Sequence, residues 1–183
     1  MKITLNKGQN IFFTSDSHYG HSNLCSGTTQ WKDAEAKTRK FDTLEEHNEL
    51  LIKNINETVG ENDILFHLGD WSFGGFDNIM IFKKRLICKN IHLILGNHDE
   101  KIEKNEGGIQ GAFITVNQYL ELDLSIPSNI KNQGNTRYKF ILMHYPVVSW
   151  NHMARGAMHL FGHVHLKPEL KCLSEKGMNE MEA

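Results

Sequence analysis

Five short apolar segments of this chain each end in polar residues that can bind metal ions. The segments, at 11–14, 64–66, 91–95, 139–143 and 158–161, are rich in Ile, Leu and Phe, which is typical of buried strands. The clusters that follow them are Asp16-Ser17-His18, Gly69-Asp70, Gly96-Asn97-His98-Asp99, His144 and Gly162-His163-Val164-His165. Parallel strands joined by crossovers present their carboxyl ends at one edge of a sheet, so we expect the five clusters to meet in one crevice.

Two helices are predicted between the first three strands. Thr43 is followed three residues later by Glu46, a capping-box pattern that predicts a helix over residues 43–58. Asp77 is suited to cap a second helix that runs to about Leu86. Strands that alternate with helices in this way are typical of parallel sheet units.

The second half of the chain is rich in predicted strands. Residues 113–124 alternate loosely between apolar and polar types and predict either one bent strand or a hairpin. Residues 128–136 are polar and predict a turn before the next strand. Both halves together predict the α+β class, with two stacked β-sheets and helices outside them.

Length and composition favour a single domain over residues 1–183. The 183 residues are 39% hydrophobic, which is enough for a sizeable core. The net charge of −2 provides no overall basic field for binding a phosphate polymer. The cysteines, Cys25, Cys88 and Cys172, are odd in number and far apart, so we expect free thiols and a cytoplasmic location. No stretch reads as a signal peptide or a membrane span, so we expect no membrane association.

The clusters supply oxygen and nitrogen donors but no thiolate. Apart from His98 and Asp99, they contain two carboxylates, one carboxamide and four imidazoles. This set of donors suits manganese, iron or zinc, and it argues against a sulfur-rich structural site. Seven donors are too many for one tetrahedral ion. They match two ions roughly 3.5–4 Å apart that share a carboxylate and a bridging hydroxide, as in two-metal phosphoryl hydrolysis.

Each cluster taken alone has a simpler explanation. Asp-x-His and Gly-Asp pairs are more often turns than ligands, and a lone histidine such as His144 is more often a hydrogen-bonded core residue. Gly-Asn-His-Asp is more specific, because a Gly-Asn turn explains only two of its residues. Coincidence is a poor explanation for all five clusters in this order, each behind an apolar segment.

The full series of motifs resembles that of the calcineurin-like metallophosphoesterases. The resemblance rests on Asp16-x-His18, Gly69-Asp70, Gly96-Asn97-His98-Asp99, His144 and Gly162-His163-x-His165. The surrounding SDSHYGHSN and HLFGHVH sequences are similar to those of small bacterial and phage-type members. The resemblance implies a four-layer αββα sandwich of two mixed β-sheets flanked by helices. Similar proteins usually continue into further strands after the last histidine, so we expect residues 166–183 to be a partly disordered tail with at most one short edge strand.

The resemblance also implies a role for each residue. Asp16, His18, Asp70 and His165 would hold the first metal ion, and Asp70, Asn97, His144 and His163 the second. Asp70 would then bridge the two ions, and His98 would protonate the leaving alkoxide without binding a metal. Asp99 either orients His98 or points away from it. Manganese is the expected metal, with iron, zinc or nickel as alternatives.

Other residues are weaker candidates for binding a substrate. His21 either contacts a substrate phosphate or is a solvated loop side chain. Arg39 and Arg155 could clamp a phosphate, although surface salt bridges are the commoner use of such residues. The tryptophans, Trp31, Trp71 and Trp150, either stack on a base or are buried.

The implied function is a metal-dependent phosphoester hydrolase. Because no insertion is long enough to form a capping domain, we expect an open groove, which slightly favours a phosphodiesterase. The substrate would be a phosphoester, with a nucleotide or nucleic acid as one option. The alternatives are a phosphomonoesterase and a non-catalytic interaction module on the same fold. Retention of all seven donors together with His98 speaks against the interaction module.

Overall fold

The computed structural model describes residues 1–33, 38–128 and 134–165. Within these residues, two four-stranded sheets form, with strand orders β1-β6-β7-β8 and β2-β3-β4-β5. The strands are β1 (Lys2–Thr4), β2 (Ile11–Thr14), β3 (Ile64–His67), β4 (Asn90–Ile94), β5 (Thr115–Asn117), β6 (Tyr119–Ile126), β7 (Thr136–Met143) and β8 (Met158–Leu160). The first sheet is mixed, because β6 and β7 are antiparallel, and the second sheet is parallel throughout.

The helices lie in the connections. They are α1 (Leu44–Thr58), α2 (Phe76–Arg85) and α3 (Glu100–Glu103), with short 3-10 turns at Ser22–Leu24, Glu106–Ala112 and Met153–Arg155. The helix predicted over residues 43–58 is confirmed: Thr43 is its N-cap and its hydroxyl accepts the Glu46 N–H at 3.1 Å. Glu46 in turn accepts the N–H of Asp42, one residue before the position of a full capping box.

Two of the local predictions are wrong. α2 begins after Gly75, so Asp77 lies in its first turn and does not cap it. Residues 113–124 form neither one bent strand nor a hairpin. Instead the chain passes from one sheet to the other at Gln118, because β5 pairs with β4 and β6 pairs with β7.

The second sheet is buried on both faces. On one face, Phe66 and Ile94 pack against Leu122 and Leu142 of the first sheet. On the other face, a separate apolar cluster joins the sheet to α1 and α2. That cluster includes Leu65, Leu93, Ile52, Ile79 and Phe82. The predicted sandwich of two sheets with flanking helices is therefore confirmed.

The carboxyl ends of β2, β3 and β4 lie at one edge of the parallel sheet, as their parallel register requires. The loops after β7 and β8 reach the same edge, where the Nδ1 of His144 lies 2.7 Å from the carbonyl oxygen of Leu68. The predicted tail at 166–183 lies outside the described residues. None of the helices in the described ranges is long and apolar enough to cross a membrane.

Candidate metal centre

The five polar clusters converge at this edge of the sandwich. The loop after β2 is tied to the loop after β3, since the Asp16 N–H donates to the carbonyl of Gly69 at 2.9 Å. It is also tied to the loop after β8, since the His163 N–H donates to the Asp16 carboxylate at 3.1 Å. The loop after β4 joins them through the His98 N–H, which donates to Asp70 Oδ1 at 3.0 Å.

Most of the predicted ligands have an unusual backbone conformation. Residues with side chains rarely adopt a left-handed φ, and such residues cluster at functional sites. Five of the predicted ligands do so: Asp16 (54°), His18 (49°), Asp70 (57°), His163 (70°) and His165 (35°). This conformation turns the chain sharply at His163 and His165, whose rings reach Asn97 and Asp16 respectively.

Glycine is required where the ligand loops cross closely. A Cβ atom on Gly162 would lie 2.5 Å from Asp16 Oδ2, and one on Gly96 would overlap Asp70 Oδ1. Any side chain at these two positions would displace a predicted ligand. The glycines of the motifs therefore serve the packing of the loops around the centre.

One group of donors consists of Asp16, His18 and His165. The Nε2 atoms of His18 and His165 lie 3.2 Å apart. Asp16 Oδ1 lies 3.2 Å from the His165 nitrogen and 3.8 Å from the His18 nitrogen. His18 is buried and His165 is exposed, so the group opens toward solvent on one side.

The other group surrounds Asp70 and His144. Asp70 Oδ2 lies 3.6 Å from His144 Nε2. The Asn97 carboxamide oxygen lies 3.1 Å from that nitrogen and 2.9 Å from His163 Nδ1. His144 is fully buried, whereas Asn97 and His163 are exposed.

The donor set fits bound metal ions. Two metal–ligand bonds of about 2.1 Å at a right angle place their donors about 3 Å apart, which is close to the separations found in both groups. The His144 Nδ1 faces the Leu68 carbonyl and would donate its proton there, so that the lone pair of Nε2 faces the other donors. Nitrogen and oxygen donors suit the transition metals named above.

The electrostatics of the first group favour ligand forms of Asp16 and His18. Burial raises the pKa of the Asp16 carboxyl, but the hydrogen bonds of His165 and Ser15 outweigh it and hold that pKa well below its usual range. Burial and then the neighbouring charges of His165 and Arg39 lower the pKa of His18 to about 3. The hydrogen bond to Asp16 raises the pKa of His165, so within this first group a proton competes with a metal ion at His165.

His98 lies at the mouth of the centre and is exposed. Its backbone N–H is anchored on Asp70, and its ring centroid lies 5.6 Å from that of His18 and 4.5 Å from that of Phe73. The ring is therefore close to His18 of the first donor group and open to solvent. This position suits a group that exchanges protons with a bound molecule.

Asp99 does not orient His98. Its buried carboxylate accepts three backbone N–H groups, from Asp70 and Trp71 at 2.9 Å each and from Gly96 at 2.8 Å. Burial raises the pKa of Asp99 to about 6, although these three donors act in the opposite direction. Asp99 thus fixes the loop after β3 against the loop after β4, a role that its position beside His98 in the sequence gave no reason to expect.

Among the described residues, the Arg39 guanidinium is bound by neutral acceptors and not by a carboxylate. Its guanidinium donates to the carbonyl oxygens of Asp16 at 2.5 Å and Ser17 at 3.1 Å, and to His47 Nε2 at 2.8 Å. Arg39 therefore holds the strained loop of Asp16 and His18 from the side of α1. All of these contacts lie far from it in the sequence, so nothing local could indicate them.

Ser17 links the same loop to β3 through His67. Its hydroxyl lies 2.7 Å from Nε2 of His67, and both side chains are buried. Burial lowers the pKa of His67 to about 3. The folded protein therefore keeps this imidazole neutral where an unfolded chain would protonate it.

The metal-free protein should lose stability as the pH falls from about 6.5 to about 3, partly because of His67. In this window the unfolded chain binds a proton at this residue and the folded protein does not, so the free energy of unfolding drops by up to about 1.4 kcal/mol per pH unit. His67→Gln should remove this share of the slope. Urea unfolding of chelated protein across this range measures it, and an unchanged slope would mean that folded His67 takes up the proton.

Burial and contacts distinguish the weaker candidates for substrate binding from one another. Trp71 is fully buried, and Trp150 is half-buried, with its indole N–H donating to the Ala157 carbonyl at 2.7 Å. His21 is not a freely solvated side chain, because it stacks on Phe73 with 3.7 Å between ring centroids. Trp31 is 36% exposed and meets His21 edge-on. His21 and Trp31 thus lie beside the centre.

Several other proteins are similar to this chain in sequence. The chain is 27% identical to the Gene 66 protein of Mycobacterium phage L5, over 85% of this chain and 77% of that protein. It is 26% identical to the Gene 66 protein of Mycobacterium phage D29, over 85% of this chain and 78% of that one. An uncharacterized protein of Methanocaldococcus jannaschii is 31% identical over about half of each chain.

A solved structure shares the fold. The crystal structure of a protein of unknown function from Aquifex aeolicus superposes with a TM-score of 0.56, over 87% of this chain and 81% of that one, at 20% identity. The sequence model of the calcineurin-like phosphoesterases matches residues 10–172, which include every cluster described above. With that match over most of its length, the chain belongs to the calcineurin-like phosphoesterase family.

Proposed function

We propose that residues 1–183 act as one domain that hydrolyses phosphoesters with a dinuclear metal centre. Asp16, His18 and His165 would hold one ion, and Asn97, His144 and His163 the other, with Asp70 shared between them. The family supports metal-dependent phosphoester chemistry, and the two donor groups support metal binding. The assignment of ligands to the two ions is the one that the resemblance implies, and we propose it for this chain.

The position of Asp70 carries this proposal. Its Oδ2 atom lies 3.6 Å from Nε2 of His18 in one group and 3.6 Å from Nε2 of His144 in the other. Asp16 also has an oxygen near both groups, but the His163 N–H donates to both of its carboxylate oxygens. Asp70 instead accepts the His98 N–H at Oδ1, and its Oδ2 faces both groups. We therefore favour Asp70 over Asp16 as the shared ligand.

The chain's own residues would bind the ester and move protons. When bound, metal ions of this kind supply Lewis acidity, which activates a water molecule and offsets charge on the phosphoryl oxygens. His98 would donate a proton from its ring to the leaving oxygen, from its exposed position at the mouth. Asp99 and Arg39 would hold the ligand loops in place, so that the donors need little rearrangement.

A phosphodiester is the favoured substrate within this class. A monoester dianion carries more charge than a diester and is usually held by additional cationic side chains. Arg39, the arginine nearest the centre, is committed to two carbonyl oxygens and His47. With its hydrogen bonds committed to these groups, Arg39 is not placed to add a bidentate contact to a second phosphate oxygen, which favours a diester.

Hydrolysis of two chromogenic esters tests the proposal. Manganese-loaded protein should hydrolyse bis(4-nitrophenyl) phosphate with a higher kcat/KM than 4-nitrophenyl phosphate. Iron, zinc and nickel serve as the comparison metals. A reversed preference would assign a phosphomonoesterase. Absence of turnover with every metal, together with fewer than one tightly bound ion per chain, would instead assign a non-catalytic module.

A further inference from the structure

A row of aromatic rings runs from the candidate metal centre to the protein surface. Phe73, in the loop after β3, lies between the histidines of the centre and His21. The ring centroid of Phe73 lies 4.5 Å from His98, 5.4 Å from His18 and 3.7 Å from His21. Trp31 continues the row, with its centroid 5.7 Å from that of His21. We call Phe73, His21 and Trp31 the aromatic wall.

Core packing does not account for the aromatic wall. Neither Phe73 nor Trp31 belongs to the two hydrophobic clusters that hold the sheets and helices together. Trp31 is 36% exposed, and Phe73 and His21 are partly exposed. Apolar rings that border a polar centre and remain open to solvent are typical of ligand sites.

Backbone hydrogen bonds position two members of the aromatic wall, Phe73 and His21. The Phe73 N–H donates to the Tyr19 carbonyl at 2.7 Å, and the Phe73 carbonyl accepts from the Asn78 side chain at 2.7 Å. The His21 N–H donates to the carbonyl of His18 at 3.1 Å. A surface ordered in advance loses little entropy when a flat ring packs on it.

We propose that the aromatic wall is a stacking subsite for the nucleobase of a phosphodiester whose phosphate lies at the metal centre. The inference rests on the proposed function and adds a class of substrate to it. Nucleotides are the phosphodiesters that carry a flat, uncharged ring a few bonds from phosphorus. Such a ring stacks on aromatic side chains whichever base it belongs to.

Two substrates that differ only in the base test this subsite. One is thymidine 5′-(4-nitrophenyl phosphate), and the other is its 1,2-dideoxyribose analogue, in which a hydrogen replaces the base. The leaving group is the same, so their ratio of kcat/KM isolates the contribution of the base. We expect the intact protein to favour the thymidine ester about tenfold, and Trp31→Ala and Phe73→Leu each to bring the ratio toward one.

Tyr138→Ala is the matched control. Tyr138 is 42% exposed, similar to Trp31, but lies near the start of β7, away from the edge of the sheet that carries the centre. This variant should keep the tenfold ratio. A ratio near one in the intact protein, or a ratio that survives both wall substitutions, would overturn the subsite.

Equilibrium binding separates this inference from the proposed function. Titration calorimetry with thymidine 5′-monophosphate and with 1,2-dideoxyribose 5-phosphate needs no turnover. If neither ester is hydrolysed, the hydrolase proposal fails. Tighter binding of thymidine 5′-monophosphate that Trp31→Ala abolishes would still support the aromatic wall, and equal binding of the two phosphates would refute it.

Discussion

Replacing Asp70 by Asn is expected to lower the metal content of the protein from two ions per chain toward none. Asp70 Oδ2 lies 3.6 Å from a ring nitrogen of each donor group, so its charge would serve both ions. Asn keeps the shape of the side chain but removes the charge that draws cations into this buried position. Since loss of a residue that only supports a metal ligand costs about 10–100-fold, loss of the shared ligand should lower turnover by at least roughly 100-fold. Elemental analysis after dialysis against manganese measures the metal content directly.

Asp16→Asn is the matched control for Asp70→Asn. Asp16 faces His165 and His18, so its substitution should release the ion held by that group and leave about one ion per chain. Both substitutions remove one partly or fully buried negative charge. If Asp16→Asn removes both ions while Asp70→Asn removes one, Asp16 is the shared ligand and our assignment is reversed.

The polar edge of the sandwich could be predicted because strand direction determines it. Segments such as 11–14 and 64–66 end in Asp16 and Asp70, and parallel strands bring their carboxyl ends together regardless of details in the loops. The structure does place the seven expected donors in two neighbouring groups. The sequence pattern thus predicted where the donors meet, while their distribution between two ions remains a prediction.

The residues that hold the donors in place could not be predicted in the same way. Asp99 follows His98 in the sequence, yet its carboxylate binds the backbone of Asp70 and Trp71. Arg39 reaches the carbonyl oxygens of Asp16 and Ser17 from a different loop. Such contacts depend on how distant loops fold over one another, and neither spacing nor residue type indicates them.

The boundary between β5 and β6 was missed for a related reason. Alternation of apolar and polar residues over 113–124 indicates an extended chain, but it does not indicate which sheet each half joins. Only Gln118 separates the two strands, which pair with β4 and β7 respectively. The choice of partner is made by long-range packing, as is the pairing of β1 with β6.

His98→Ala is expected to retain both metal ions and to slow hydrolysis most strongly for esters of poor leaving groups. A positioned general acid contributes about 10²–10⁴-fold when the leaving oxygen needs a proton in the transition state. An alkyl oxygen needs that proton, whereas 4-nitrophenolate leaves readily without it. The rate of the variant should therefore fall much more for a dialkyl ester such as a dinucleotide than for bis(4-nitrophenyl) phosphate. Parallel kinetics on the two esters measure this difference.

The metal content of His98→Ala shows whether the His98 ring acts as a general acid or as a metal ligand. The backbone N–H of residue 98, which donates to Asp70 Oδ1, is kept by alanine, so the anchor of this loop on Asp70 survives the substitution. Loss of the imidazole alone should leave the ions in place and make the rate depend more strongly on the leaving group. If the variant instead loses metal, the ring of His98 acts as a ligand, and the proton must come from elsewhere. An equal loss of rate for both esters, with metal retained, would mean that His98 binds the phosphate and transfers no proton.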